Sequence, residues 1–336
     1  MKLHVLLLIP VLFNLSCVRT ETSRIEFALG TVCSVTLFDQ ARDNVYNDIF
    51  TRIREIENLM SVHIPSSDVS RINAAAGIMP VSVHKDTFKV IERAVYFAGL
   101  SGGAFDPSVG PLVSIWGIGG DNPRVPPQEE IDKALPLVNW RFIEMDAQTN
   151  SVFLTQYGMA LDLGGIAKGY AADEAARIAR EAGIKRANID LGGNIIMIGE
   201  RTDRTPWRVG IQTPGKNRGS VIGVLQITEK TVVTSGVYER FFEEDGVRYH
   251  HLFSPFHGYP ADNGLLSVTV ITDISMDADA LSTAVFVLGY EKGIALLESF
   301  PEAEAVFIFE DMTIRATSGA NFSLIDTAFS KEPGQP

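Results

Sequence analysis

The sequence predicts an α+β fold, mainly antiparallel sheets packed with helices, in a single compact catalytic unit over residues 25–330 with or without a smaller lobe. Three observations lead there. Strand-like and helix-like segments come in clusters instead of strict alternation, which argues against a doubly wound parallel sheet. No G-x-G-x-x-G fingerprint, P-loop or G-x-S-x-G elbow occurs. Beyond residue 24 no internal repeat, low-complexity tract or linker divides the chain. With 46% hydrophobic and 21% charged residues over 336 positions, the composition is that of a globular chain able to bury a substantial core.

The N-terminus reads as a targeting segment. Lys2 gives a positive start, and residues 3–15 are apolar apart from His4, Pro10 and Asn14. That stretch is too short to span a bilayer as a helix and has the length of a signal-peptide core. It ends at Ser16–Cys17, which resembles a bacterial lipoprotein cleavage site, although Asn14 departs from the usual aliphatic residue there. The expected layout is therefore a leader over 1–16, a lipidated Cys17 and a tether over 17–24, with the enzyme anchored to a membrane and facing the periplasm. A plain secretory signal with a nearby cleavage site is the alternative. If Cys17 carries lipid, Cys33 is left without a disulfide partner and reads as a small buried hydrophobe.

Along the chain, apolar residues over 25–37 alternate imperfectly around Gly30, as in a strand. Val45, Ile49, Ile53 and Ile56 recur at helical spacing and predict an amphipathic helix over 43–60. A second helix is expected over 86–100, with Val90, Ile91, Ala94, Val95 and Ala98 inward. Residues 117–127, rich in Gly and Pro, predict a loop. A third helix over 168–182 ends at Gly183 as a C-cap. Strands are expected over 187–190, 195–198, 207–212, 221–228, 265–272 and 305–309, with a helix over 277–288 between the last two.

Net charge is −12 and no basic run exists, so duplex nucleic acid is excluded as a partner. Small anions remain accessible through glycine turns, helix N-termini or a metal. With six histidines and two cysteines in the chain, no closely spaced set suits zinc.

Segments that combine glycine, carboxylate and small polar residues carry the chemistry. They are A-F-D-P-S-V-G-P-L-V-S-I-W-G over 104–117, L-D-L-G-G-I-A-K-G-Y-A-A-D over 161–173, N-I-D-L-G-G-N over 188–194, and T-S-G over 234–236 with Y-H-H over 249–251 and D-A-D-A-L-S-T over 277–283. Gly164 and Gly165 suit close backbone approach or positive φ, and Lys168 in the first turn of a helix suits a diphosphate. An ordinary strand–turn–helix connection explains that segment equally well. Asp279 and Thr283, four apart, put two hard oxygens on one helix face, as Mg²⁺ requires, while Asp277 points elsewhere. The alternative is that Asp277 caps the helix and Thr283 bonds backward. Adjacent His250 and His251 cannot share a strand face, so one packs and the other reaches a site as acid or base.

Taken in this order, the segments resemble the FAD:protein FMN transferase (ApbE) family over residues 25–328. The resemblance implies that FAD is the substrate and that, with Mg²⁺, FMN passes to a Thr or Ser hydroxyl of an acceptor protein, with release of AMP. It implies that Ala104, Phe105, Asp106, Asp162, Lys168 and Leu252 contact FAD, and that Leu29 and His63 occupy flavin-pocket positions. It further implies that Gly165, Asp279 and Thr283, with Ser282 in addition, ligate Mg²⁺, and that His251 is the base. Extracytoplasmic subunits of membrane redox pumps would be natural acceptors. Leu29 stands where a methionine is common, His63 where a tyrosine is common, and Ser254–Pro255 replaces Asp–Pro. The His63 change leaves open a Mg²⁺-dependent FAD pyrophosphatase that makes free FMN and AMP. A flavin-binding lipoprotein without catalysis is the alternative from another class.

Overall fold

The computed structural model describes residues 22–39, 43–216 and 219–332. The leader over 1–16, Cys17 and most of the tether lie outside the described residues. In chain order, strands β1 (Thr22–Ala28) and β2 (Thr31–Leu37) precede helices α1 (Asp43–Met60) and α2 (Asp68–Ala74), strand β3 (Val81–Ser82) and helix α3 (Lys85–Leu100). Short helices α4 (Gly110–Trp116) and α5 (Gln128–Ala134) follow, then β4 (Ile143–Asp146), β5 (Ser151–Leu154) and helix α6 (Ala167–Glu181). The sheet strands β6 (Ala187–Leu191), β7 (Asn194–Ile198), β8 (Trp207–Gln212), β9 (Val221–Ile227) and β10 (Lys230–Gly236) come next. A hairpin of β11 (Phe241–Glu244) and β12 (Val247–His250) leads to β13 (Leu265–Thr272), α7 (Ser275–Leu288), α8 (Tyr290–Leu297) and β14 (Glu304–Phe309). The chain closes with β15 (Thr313–Ala316), β16 (Phe322–Leu324) and β17 (Ser330–Lys331).

The fold is α+β, as expected. Among the described residues, a nine-stranded sheet runs β1-β2-β6-β7-β10-β13-β14-β15-β17, antiparallel throughout except for the β15–β17 pair. One face of this sheet packs on α1, α3, α6 and α7 in a single large apolar core that includes Ile49, Phe97, Ala172, Val233, Val268 and Phe286. The other face packs on the small sheet β16-β9-β8 through Met197, Val232, Ile271, Ile308 and Leu225. Strand alternation produces this division: Val233 and Val232 are neighbours in β10 yet belong to opposite cores. Smaller clusters around Trp116 and Leu112 stand apart, with the Trp116 indole donating to the Gly258 carbonyl at 2.9 Å.

The helices expected over 43–60, 86–100, 168–182 and 277–288 all form, because each carries an apolar stripe or a fully buried surface. Segment 25–37 corrects the expectation: it is a hairpin, not one strand. Leu29 and Gly30 both take positive φ, 55° and 67°, and turn the chain back so that Phe27 pairs with Val32. Cys33 is buried in β2, and burial pushes its thiol up to about 11, which keeps it protonated and unreactive. Among the described residues no helix is long and apolar enough to cross a membrane.

Candidate active site

A cavity of about 410 Å³, within the range of small-molecule sites, lies where the large sheet meets the smaller clusters. Its lining includes polar Lys168, Asp279, Thr283 and Ser235 and apolar Leu29, Val113, Ile118 and Phe253.

Lys168 and Asp279 stand near the starts of α6 and α7. The two helices meet so closely at Gly169 that a β-carbon there would sit 2.2 Å from the Ser275 carbonyl oxygen, so only glycine fits. Asp173 of α6 caps α7 by accepting from the Ser275 and Met276 amides, both at 2.9 Å. The capping role left open for Asp277 thus belongs to Asp173, whose carboxyl burial pushes up to about 6. Asp277 points away from the cavity and receives a two-pronged contact from Arg93, at 2.8 and 2.6 Å.

Asp279 is 4% exposed and accepts from the Gly169 amide at 3.0 Å. The Lys168 ammonium lies 3.4 and 3.5 Å from its two oxygens and donates to the Gly164 carbonyl at 2.7 Å. Thr283 lies beside Ser235, with their oxygens 3.5 Å apart, and a β-carbon at Gly165 would meet the Thr283 hydroxyl at 3.4 Å. Neither Gly164 nor Gly165 has positive φ; the need at Gly165 is close approach. Ser282 is completely buried behind this corner, bonded to Ser235 at 2.9 Å and to the Asp279 carbonyl at 3.0 Å, and does not line the cavity. The Asp279 carboxylate and the Thr283 hydroxyl, with the Gly165 backbone close to Thr283, offer hard oxygen donors of the kind that suits a divalent ion such as Mg²⁺.

The two histidines divide as expected. His250 is 6% exposed; its Nε2 donates to the Ala261 carbonyl at 3.1 Å and its Nδ1 accepts from the Leu252 amide at 3.2 Å. Both ring nitrogens are therefore occupied, and burial pushes its pKa down to about 4. His251 lines the cavity. Its Nδ1 meets the Arg240 carbonyl at 3.2 Å, and a carbonyl can only accept, so the proton sits on Nδ1 and Nε2 keeps its lone pair. Desolvation holds its pKa at about 3, so the imidazole is neutral at physiological pH.

Of the positions expected to contact FAD, Leu29, Ala104, Phe105, Asp106, Asp162, Lys168 and Leu252 all line this cavity. Asp106 does so with its oxygens engaged: Oδ1 accepts from the Ser108 amide (2.8 Å) and hydroxyl (2.6 Å), and Oδ2 from the Trp140 amide (3.0 Å). It shapes the wall, and burial raises its pKa. Asp162 binds the Gly164 amide at 2.7 Å through Oδ1 alone. His63 is the exception: it is exposed in the turn after α1 and does not line the cavity. The turn closed by Ser61, whose hydroxyl accepts from the His63 amide at 3.2 Å, carries the side chain outward. Ser254, where the resemblance leads to an expected aspartate, supports its turn by accepting from the Phe256 amide at 3.4 Å. Ser235, Arg240 and Asn194 also line the cavity and carried no role in the sequence reading, although Ser235 and Asn194 lie inside segments it singled out.

The comparisons agree with this geometry. Residues 29–307 match the model of the ApbE family. The chain is 40% identical over 316 residues to the FAD:protein FMN transferase of Treponema pallidum, covering 89% of this chain and 87% of that protein. It is 40% identical over 283 residues to the protein of the same description from Klebsiella pneumoniae, covering 84% and 88%. Among solved structures, the ApbE protein of Thermotoga maritima superposes with a TM-score of 0.82 at 35% identity, covering 89% of this chain and 97% of that one. The flavin transferase ApbE of Vibrio cholerae gives 0.78 at 28% identity, covering 92% and 98%. A matched model over most of the chain and a site assembled from that family's ordered motifs lead to one conclusion: this chain belongs to the ApbE family.

Proposed function

We propose that this protein transfers the FMN half of FAD to a Thr or Ser hydroxyl of an acceptor protein and releases AMP. The observation that carries this reading is the meeting, in one cavity, of a Lys168–Asp279–Thr283 corner suited to a diphosphate with the free Nε2 of a neutral His251. Relatives of that description in Treponema pallidum and Klebsiella pneumoniae support it.

Asp279, Thr283 and the Gly165 carbonyl would hold Mg²⁺, whose charge would offset that of the diphosphate oxygens and favour a phosphate leaving group. Lys168 presents its ammonium to the same oxygens. His251 Nε2 takes the proton of the acceptor hydroxyl, whose oxygen attacks the FMN phosphorus as the bond to the AMP oxygen breaks. The proton passes from His251 to solvent, and AMP leaves with the bonding pair. His251 gains basicity when the anionic diphosphate binds, since a nearby negative charge favours imidazolium. Positioning and charge neutralisation carry most of the remaining barrier in such transfers.

The leader over residues 3–15 and Ser16–Cys17 support a lipid anchor at Cys17 and an extracytoplasmic, periplasm-facing enzyme. An enzyme held at a membrane meets its acceptors there, which favours subunits of membrane redox pumps as the proteins modified.

Incubating the protein with FAD and Mg²⁺, with and without a Thr-bearing acceptor peptide, tests the reading by chromatography. AMP with flavinylated peptide, formed only when acceptor is present, is expected. FMN and AMP without acceptor would make the protein a pyrophosphatase, and intact FAD in both tubes would leave a flavin-binding protein.

A further inference from the structure

Asn194 opens β7 at the cavity wall. It is 2% exposed, and its side-chain Nδ2 has no hydrogen-bond partner among the described residues. A buried amide left without an acceptor costs the folded state free energy, so such a group persists where something else satisfies it. Its surroundings identify that acceptor. Asn194 pairs directly with Val233, and alternation along β10 places Val233 and Ser235 on one face of the sheet. That is the helix-covered face, where Ser235 contacts Ser282 and Thr283 of α7. The orphaned N–H group therefore shares a face of the sheet with Ser235, which touches Thr283, and both line the cavity with Asp279.

The hairpin that presents it is rigid. Gly192 and Gly193 both have positive φ, 65° and 98°, and the Gly193 amide donates to Asp190 at 2.8 Å. Gly192 packs so tightly on Thr31 that a β-carbon there would lie 2.3 Å from its hydroxyl. The amide is thus pre-organised and does not wait for a loop to close.

We propose that Asn194 is a substrate-binding residue whose Nδ2 donates a hydrogen bond to the diphosphate of the bound dinucleotide. The proposal rests on the transferase reading for the identity of that dinucleotide. As a neutral donor it reads the phosphate oxygens without adding charge to a corner already holding Lys168 and a site for a divalent ion.

Calorimetric titration of the full-length protein with FAD, ADP and riboflavin tests it, using Asn194→Leu and Asn194→Asp. Asn194→Leu is expected to weaken FAD and ADP by about tenfold or more, the worth of one hydrogen bond to a charged acceptor, and to leave riboflavin unchanged. Its ligand-free melting temperature should hold or rise, because an unsatisfied buried amide has gone. Asn194→Asp, nearly the same shape, should weaken ADP and FAD further by placing a carboxylate against the phosphates. Unchanged ADP affinity in both variants would overturn the proposal, as would an equal loss for riboflavin. If the unsubstituted protein binds neither FAD nor ADP, the transferase reading itself falls; if it binds both and the variants match it, only the role of Asn194 falls.

Discussion

The two faces of the nine-stranded sheet are built from the same strands and bury side chains equally well, yet they carry different chemistry. On the face covered by β8, β9 and β16, the core is Met197, Val232, Ile271, Val306, Ile308 and their neighbours. On the helix-covered face, Asn194, Ser235 and Asp279 are buried and line the cavity, with Ser282 buried behind them. A packed apolar face is satisfied by its own atoms and needs nothing from outside. The helix-covered face holds the Asn194 amide, which has no partner among the described residues. Stability and function are thus separated across the thickness of one sheet.

Three substitutions would sharpen or break that separation. The largest effect is expected from His251→Ala, on the ligand side: turnover of FAD with acceptor should fall by about 10²–10⁴-fold, with FAD affinity retained. A loss below about tenfold would mean that the base is another group. Next, Ile308→Ala on the opposite face should cost about 2–5 kcal/mol of stability in thermal or denaturant unfolding, because Ile308 is wholly buried. Turnover per folded molecule should be unchanged, and a parallel loss of specific activity would show that the two faces are coupled.

The smallest effect concerns His250, packed edge-on to Phe286. Its pKa is about 4 in the fold against an ordinary 6.5, so the unfolded chain takes up the proton first as pH falls. Its contribution is fully present above pH 6.5 and is lost as pH drops toward 4. The stability advantage of the wild type over His250→Gln should shrink across that window by roughly 3 kcal/mol. Taking the difference removes Asp173, whose raised pKa works in the opposite direction there. A difference that stays flat with pH would mean that His250 is not held neutral.

Much of this site was legible in the residues because the chemistry sits in short ordered segments. Asp162 and Lys168 share one such segment, and Asp279 and Thr283 lie one helical turn apart, so spacing alone brings each pair together. The histidine pair divided as strand geometry requires, although which one packs could not be read locally. His63 stands exposed outside the cavity lining because the direction of a turn depends on hydrogen bonds such as that from its own amide to Ser61. Strands β3 to β5, β10 to β12 and β15 to β17 escaped notice: β10 is buried on both faces and loses alternation, and the others are four residues long or shorter.

Residue pattern alone was enough for the α+β class, the four long helices, the acidic character that excludes duplex nucleic acid, and the membership of the catalytic segments in one family. These follow from periodicity and local chemistry, which neighbours along the chain determine. The reversal at Leu29–Gly30, the capping of α7 by Asp173 instead of Asp277, the tautomer of His251 and the unpaired amide of Asn194 required the assembled fold. The last three depend on whether a polar group finds a partner: a carbonyl 11 residues away for His251, a carboxylate 102 residues away for α7, and none among the described residues for Asn194.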